Sequence, residues 1–461
     1  MKTTPLIAAT LLLSLCACTV GPHYKRPQVS VPDQYRGISP DGQAQASAEP
    51  FGEMKWFAVF QDPALESLIK EALTNNYDLR IAATRVLQAS ALAGITRADQ
   101  YPSVTATAGV ENVRNQFFPG APTFDSASIQ ASYIVDFWGQ YRRATEAARA
   151  NLVATQYGQD VVRTTLVSNV AVAYFQLRQF DAQLDYAKQT LTADQEMLRI
   201  NTIKFKGGES AQTDVLQAQL LVQQSEAQVI SLQQGIEQTE NTLSVLLGRN
   251  PGPIARGLNL TEQPHLPDVP VGLPSALLER RPDIRQAEQL LASANANVGV
   301  AKAAFFPQIA LTGLFGALST SLTSFLQGPA TVWSIGGQAV QPVFQGGRIR
   351  SNYRLAWAQR DEAELAYKRT VLQAFGDVSN SLVGYSQSRQ YRIKLTEQTT
   401  TYRDAAHLAN VRFLGGTTSF LEVLVTQQQY LTSQLALAQA WNTELQSYVQ
   451  LYRALGGGWQ Q

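Results

Sequence analysis

The fold is decided by residues Gly139–Phe205, which read GQYRRATEAARANLVATQYGQDVVRTTLVSNVAVAYFQLRQFDAQLDYAKQTLTADQEMLRINTIKF. This stretch contains no proline and little glycine, and its apolar residues recur every three to four positions, as on one face of a helix. A second stretch of the same character runs from Gly346 to Phe413. As one helix, either stretch would be about 100 Å long, several times the width of an ordinary domain. The sequence therefore predicts long packed helices and argues against a compact globule.

Shorter helical patterns flank each long one. They cover Tyr77–Gln100, Ser210–Leu247, Pro282–Ala304 and Thr417–Leu455. Two shorter helices placed end to end nearly match one long helix, at about 1.5 Å per residue. We therefore predict that each long helix packs beside two stacked shorter helices. A further short helix is expected after Asp62, which is a favourable N-cap residue in front of Pro63.

Four segments alternate between apolar and polar residues, which is the pattern of β-strands. They cover about residues 103–115, 126–136, 308–318 and 331–343. Each has about the length of a tilted membrane-crossing strand. The alternative is a soluble sheet packed on helices, but faces rich in threonine, serine and glutamine suit a wet lumen better than a core.

The second half of the sequence repeats the landmarks of the first. Asp283 follows Asp78 by 205 positions, and Gly416 follows Gly208 by 208 positions. Landmarks that keep register over half a chain indicate a tandem duplication. We predict a first repeat at residues 63–248, a proline-rich connector at 249–281, a second repeat at 282–456 and a short tail at 457–461.

Four strands leave two open sheet edges and cannot close a barrel. In lipid an open edge is not tolerated, because each unpaired backbone group costs several kcal/mol. The chain must therefore associate with copies of itself. Two copies give eight strands and three give twelve, and a lumen that runs into a helical tube favours three. The predicted class is an α+β membrane protein, in which a long antiparallel α-helical barrel is continuous with a transmembrane β-barrel.

The N-terminus has the features of a targeting segment. Residues 1–17 carry Lys2 and a short apolar core, and Leu15-Cys16-Ala17-Cys18 resembles the bacterial lipobox. The resemblance implies cleavage before Cys18 and acylation of its side chain, with residues 18–62 as an extended tether. Thr19 stands where an aspartate would direct retention in the inner membrane, so sorting to the outer membrane is implied. The alternative is an ordinary signal peptide with incidental cysteines.

Composition argues against several classes of function. The formal charge is +1 and charged residues make up 16%, with no basic block of the kind that binds nucleic acid. The three histidines, His23, His265 and His407, lie far apart, so a histidine-based metal site is not expected. We find no arrangement typical of a catalytic site and expect no cofactor. The sequence therefore argues against an enzyme.

Several strings resemble those of a known family, and together they span the chain. They are Cys18–Pro27, Trp56–Leu65, Leu278–Glu288, Ala303–Ile309 and Phe344–Ile349. They are similar to the TolC-like outer membrane factors, in particular to the lipoprotein branch (NodT/OprM-like) that serves resistance-nodulation-division efflux pumps. The resemblance implies a homotrimer with a twelve-stranded barrel in the outer membrane of a Gram-negative bacterium and an α-barrel in the periplasm. It also implies two partners, a periplasmic adaptor and an inner-membrane proton-driven transporter.

The same resemblance implies a narrow, acidic periplasmic entrance. Asp214 and Glu422 lie 208 positions apart, early in the two return helices, and are the candidate gate carboxylates. Some relatives carry a second aspartate where this chain has Val425, so Leu421 is expected to supply an apolar ring. The alternative for Glu422 is a capping box with Ser419, since an acidic residue early in a helix favours the helix dipole.

The two Gly-Gly turns are predicted to be the tips that contact the adaptor. They consist of Gly207, Gly208, Gly415 and Gly416. Two other functions compete with drug efflux: a conduit of the same fold for type I protein secretion, and a periplasmic coiled-coil scaffold lipoprotein. The four alternating segments argue against the scaffold, which needs no lipid-facing sheet.

Overall fold

The computed structural model describes residues 19–33, 35, 51, 54–112, 120, 123–263, 274–325 and 327–458. Within these ranges long helices dominate and four strands form one sheet. The helices are α1 Trp56–Val59, α2 Pro63–Asn75, α3 Tyr77–Ala98, α4 Gln140–Lys206, α5 Gln212–Leu246, α6 Leu277–Arg280, α7 Pro282–Ala303, α8 Arg348–Leu414 and α9 Phe420–Ala454. The strands are β1 Ser103–Asn112, β2 Thr123–Val135, β3 Gln308–Ser319 and β4 Thr331–Val340.

The sheet is antiparallel throughout, in the order β1-β2-β3-β4. Ser103 lies opposite Ser132, and Gln308 lies opposite Val340. Within the described part of the chain, the outer edges of β1 and β4 therefore have no strand partner. The four-stranded sheet was predicted, and its open edges leave backbone hydrogen-bonding groups to be satisfied elsewhere.

Some strand bounds differ from the predicted ones. Strand β2 covers residues 123–135 instead of 126–136, and β3 extends one residue beyond the predicted end at Leu318. The prediction that β4 reaches Val343 was wrong, because the strand ends at Val340, shortly before Pro342. Proline has no backbone N–H and cannot donate to the ladder. The predicted continuation of β1 over residues 113–115 lies outside the described residues.

The chain divides into two compact units. The first comprises the described residues within 1–28, 84–156 and 286–369, and the second comprises the described residues within 29–83, 157–285 and 370–461. The sheet belongs to the first unit, and the two tips belong to the second. None of the helices in the described ranges combines the length and the hydropathy that a membrane-spanning helix requires.

In the first unit the N-terminal segment packs closely on helix α7. The Val20 N–H donates to the Trp138 carbonyl at 3.1 Å, and Asn295 Nδ2 donates to the Pro22 carbonyl at 3.0 Å. Gly21 has a φ of +106°, and a Cβ there would lie 2.5 Å from the Cα of Gly299. The two backbones approach so closely that only glycine fits at position 21.

The second unit has a core that is rich in aromatic side chains. The ring of Phe51 lies 4.8 Å from that of Tyr448 and 5.3 Å from that of Tyr452. Tyr452 Oη donates a hydrogen bond to the Met54 carbonyl at 2.7 Å. Aromatic pairs at these distances stabilise a core beyond the area that they bury. The segment in front of α2 is therefore attached to the last helix of the chain.

Asp62 connects several elements of the second unit. Its side chain is 1% exposed, and its Oδ1 accepts from the Ala64 N–H at 2.9 Å, as expected for the N-cap of α2. Its Oδ2 accepts from Tyr174 Oη, the Leu258 N–H and Gln263 Nε2, at 2.9, 3.1 and 2.9 Å. The same carboxylate therefore starts a helix and holds the segment that follows α5. Burial of the Tyr174 hydroxyl raises its pKa, and the neighbouring Asp62 carboxylate raises this pKa further.

The predicted connector at 249–281 is not wholly irregular. Its described part contains short 3₁₀ turns at Leu260–Glu262 and Pro274–Ala276, followed by helix α6. Arg178 Nε donates to the Leu258 carbonyl at 3.0 Å, and Arg178 Nη2 donates to Asn259 Oδ1 at 2.9 Å. The first bond satisfies a backbone carbonyl of the proline-rich segment, and the second fixes the Asn259 side chain.

Corresponding helices in the two halves have equal lengths. Helices α3 and α7 have 22 residues each, α4 and α8 have 67 each, and α5 and α9 have 35 each. The long helix α8 begins at Arg348 and not at Gly346, because Gly346 and Gly347 have φ values of +57° and +87°. Two successive residues in that region cannot belong to a right-handed helix.

Candidate functional site

The two predicted tips are tight turns that join α4 to α5 and α8 to α9. Gly208 and Gly416 have φ values of +78° and +73°, and each terminates a helix in the left-handed conformation. The Glu209 N–H donates to the Lys204 carbonyl at 2.8 Å, and the Thr417 N–H donates to the Arg412 carbonyl at 2.9 Å. This is the Schellman pattern of helix termination, which explains why glycine is needed at the left-handed position.

The tip glycines differ in what surrounds them. A Cβ added to Gly208 or to Gly416 would meet no heavy atom of the described residues within 4 Å. At Gly207 and Gly415 an added Cβ would make only ordinary contacts with carbonyl oxygens of the preceding turn. All four positions lie at the surface, so side chains introduced there would point away from the protein.

An apolar cluster lies behind the tips. The ring of Phe413 lies 5.6 Å from that of Phe420, and the ammonium of Lys204 lies 4.3 Å from the Phe413 ring centroid. A cation above an aromatic face is attracted by the ring quadrupole. This cluster joins two helical hairpins near their tips: the hairpin of α4 and α5, and the hairpin of α8 and α9. Its buried members are Ala218, Leu221, Ala409, Phe413, Phe420 and Val423.

Glu422 is held by a contact that was not predicted. Arg412 Nη1 lies 3.2 Å from Glu422 Oε1, and Thr418 Oγ1 donates to Oε2 of the same carboxylate. The capping box proposed from Ser419 is absent, because the Ser419 side chain makes no capping hydrogen bond. The carboxylate bonds to Arg412 and Thr418 instead of turning back to the Ser419 N–H. Both partners precede α9, so the ion pair joins the end of α8 to the start of α9.

Asp214 occupies the corresponding position in α5 but has different surroundings. It is half-buried, and its carboxylate has no hydrogen bond or ion pair among the described residues. Lys204 stands 208 positions before Arg412, yet its ammonium lies over the Phe413 ring. The two corresponding positions therefore differ: the Glu422 carboxylate is paired, whereas the Asp214 carboxylate has no partner among the described residues.

Leu421 precedes Glu422 and is 56% exposed. Val425, one turn further along α9, is also exposed. Leu421 and Val425 therefore place two apolar side chains at the surface beside the Glu422 carboxylate. Arg412 and Lys204 were missed by sequence reasoning, although a basic residue in the last turn of both long helices was a visible signal.

Cys18 lies outside the described residues, but its neighbour Thr19 is described. Thr19 packs against Gly139, where an added Cβ would lie 2.7 Å from Thr19 Cγ2. Gly139 stands between the end of β2 and the start of α4. The segment that follows Cys18 therefore enters the first unit beside the junction of sheet and helix.

Comparison with known proteins agrees with this architecture. The family model of the outer membrane efflux protein matches residues 68–249 and 273–457. The chain is 34% identical to the solvent efflux pump outer membrane protein SrpC of Pseudomonas putida, over 99% of this chain and 98% of that protein. It is 32% identical to the cation efflux system protein CusC of Escherichia coli, over the full length of both chains.

Solved structures show the same fold. The outer-membrane channel OprN superposes with a TM-score of 0.87 at 30% identity, covering 96% of this chain and 100% of that one. The CmeC outer membrane channel of Campylobacter jejuni gives a TM-score of 0.90 at 25% identity, covering 96% and 95%. The two matched segments, the relatives and the shared fold lead to one conclusion: this chain belongs to the outer membrane efflux protein family.

Proposed function

We propose that three copies of this chain form the outer membrane channel of a tripartite efflux pump of the resistance-nodulation-division type. The observation that carries the proposal is the four-stranded sheet whose outer edges, at β1 and β4, are open in the described chain. Each open edge of one copy pairs with an open edge of the next, and three copies close a twelve-stranded barrel. Closure of the barrel gives the backbone N–H and C=O groups at the strand edges hydrogen-bond partners within the lipid. A single four-stranded sheet cannot do this.

The helices supply the periplasmic part of the channel. The equal lengths of corresponding helices support a tandem duplication, which gives each subunit two similar hairpins. Three subunits then present six similar tips to a periplasmic adaptor, which links the channel to the inner-membrane transporter. The channel itself is a passive conduit and not an enzyme.

Acylation of Cys18 would anchor each subunit in the outer membrane in addition to the barrel. The position of Thr19 beside Gly139, which follows the end of β2, supports this. A lipid attached there would have only a short distance to reach the bilayer that the strands cross. Each buried CH₂ of an acyl chain contributes about 0.8 kcal/mol to membrane binding.

Small molecules are the proposed cargo. Relatives carry the names of efflux systems for solvents and cations, and of a pyoverdine exporter in Pseudomonas aeruginosa. These cargoes are small, which favours efflux over protein secretion.

Conductance tests the proposed conduit. We expect the purified full-length protein to form ion-conducting pores in a planar lipid bilayer without nucleotide or any other energy source. The same preparation after heat denaturation is the control and should give no pores. A correctly folded preparation that gives no conductance would contradict the proposal.

We further propose that Asp214 and Glu422 face the periplasmic entrance and favour cations. Changing both residues to alanine should lower the cation-to-anion permeability ratio by a factor of roughly two to five. The reason is that the interaction energy between an exposed charge and a nearby ion is about 1 kcal/mol. Reversal potentials in a salt gradient measure this ratio. Glu397→Ala, which removes an exposed carboxylate paired with Lys394 on α8, is the matched control. An unchanged ratio in the double variant would count against both gate assignments.

A further inference from the structure

A cavity of 300 Å³ lies between the two hairpins, behind the tips. Helices α4, α5, α8 and α9 all contribute side chains to its wall. A water molecule takes up roughly 30 Å³ in the liquid, so the cavity has room for about ten groups of that size. Small-molecule sites in proteins have this size, a mostly apolar wall and a few polar groups. The larger apolar lining residues are Met197, Ile200, Leu221, Leu414, Phe420 and Val423.

The most deeply buried polar group in the wall is the carboxyl group of Asp194. This side chain is 3% exposed, and Ser225 Oγ donates to its Oδ2 at 2.5 Å. Burial raises the pKa of Asp194, and the hydrogen bond from Ser225 opposes that rise. A buried carboxylate with one hydroxyl partner is costly, because its remaining lone pairs are not satisfied.

The other polar residues of the wall are Glu196, Asn410 and Gln427. Among the described residues that line the cavity there is no lysine or arginine, so none of them can neutralise Asp194. Glu196 also lines the cavity, but its carboxylate is paired with Arg199 at 2.6 Å. Among the described residues of the wall, Asp194 is therefore the carboxylate without an ion-pair partner that faces the apolar space.

We propose that this cavity binds a small apolar ammonium compound. The ammonium would donate to the Asp194 carboxylate, while the hydrocarbon part would contact the apolar lining. A charge-assisted hydrogen bond in a site with little water is stronger than one between neutral groups. The proposal does not depend on the trimer, because all the residues that carry it belong to one chain.

Binding at this place would couple the two hairpins. Asp194 and Leu221 belong to the α4–α5 hairpin, whereas Asn410 and Phe420 belong to the α8–α9 hairpin. A ligand that contacts both hairpins favours the arrangement in which they are packed together. Occupancy would therefore oppose any movement that separates the hairpins near their tips.

Phenethylamine and the neutral phenethyl alcohol test the proposal as a matched pair of probes. Binding to the purified full-length protein in nanodiscs is measured by isothermal titration calorimetry. We expect the amine to bind roughly tenfold more tightly than the alcohol, since a hydrogen bond to a charged group contributes more than a neutral one. Equal affinities, or tighter binding of the alcohol, would overturn the proposal.

Two variants and one control locate the site. Asp194→Asn should weaken amine binding roughly tenfold and leave alcohol binding unchanged, because it removes the charge and keeps the shape. Asp185→Asn, which changes an exposed carboxylate on the same helix, should alter neither. Leu414→Trp should fill the cavity and abolish binding of both probes, and Leu414 is exposed enough for the helix to tolerate it. Unaltered amine binding in Leu414→Trp would overturn the proposal even if Asp194→Asn failed to fold.

Discussion

Replacing both Gly208 and Gly416 by tryptophan is expected to abolish efflux while the amount of assembled protein stays close to normal. Both residues have positive φ, so a side chain costs about 1–2 kcal/mol at each position. That cost is small for a long helical protein, and an added Cβ would meet no described atom within 4 Å. The indole rings would therefore stand outside the protein, where the adaptor is proposed to dock.

Resistance to a pump substrate measures this effect. The variant is expressed with its adaptor and transporter in a strain that lacks its own outer membrane channels, and the inhibitory concentration is compared with that of the unaltered chain. Replacement of both glycines by asparagine, which tolerates the left-handed conformation, is the matched control for backbone strain. Gly207→Ala should also be neutral, since its Cβ would make only ordinary contacts. Normal resistance in the tryptophan variant would refute the role of the tips.

Asp62→Ala is expected to lower the free energy of unfolding by about 3–5 kcal/mol, which is exceptional for one substitution. The change removes the N-cap of α2 and leaves the donors at Tyr174, Leu258 and Gln263 without their acceptor. Each unsatisfied buried donor costs about 1–3 kcal/mol, and water that enters the space would recover part of the combined cost of the three donors. A urea titration followed by the helical circular dichroism signal measures the change.

Glu66→Ala provides the matched control for Asp62→Ala. Glu66 lies in the first turn of the same helix and pairs with Lys70 at 2.6 Å on an exposed face. Losing such a pair costs only about 0.2–0.5 kcal/mol. If Asp62→Ala cost no more than Glu66→Ala, the proposed role of Asp62 as a connection between elements would be wrong.

Features determined by local sequence could be predicted well. The start of α2 agrees with the prediction, because Asp62 and Pro63 mark it directly. The ends of the long helices at Gly208 and Gly416 were equally readable, since a left-handed helix terminus requires glycine. The start of α9 was placed too early, at Thr417. That residue lies in the turn that follows α8, where its N–H and its hydroxyl both donate to the Arg412 carbonyl.

Features that depend on packing could not be predicted. A capping box with Ser419 was the alternative predicted for Glu422 from its spacing, but the ion-pair partner of Glu422 is Arg412, ten residues away on the facing helix. No spacing rule identifies such a pair before the hairpin is built. The cavity beside Asp194 has the same origin, because its wall combines side chains from four helices. Asp194 alone looks like an ordinary surface residue of a long polar helix.

The most direct test of a channel built from three copies is the native mass of the full-length protein released from outer membranes. The account predicts a complex of three chains, each carrying acyl groups at its N-terminal cysteine, with no stable single chain in mild detergent. A mass corresponding to one chain or two would contradict it, because one sheet or two could not form the twelve-stranded barrel on which the proposed conduit depends.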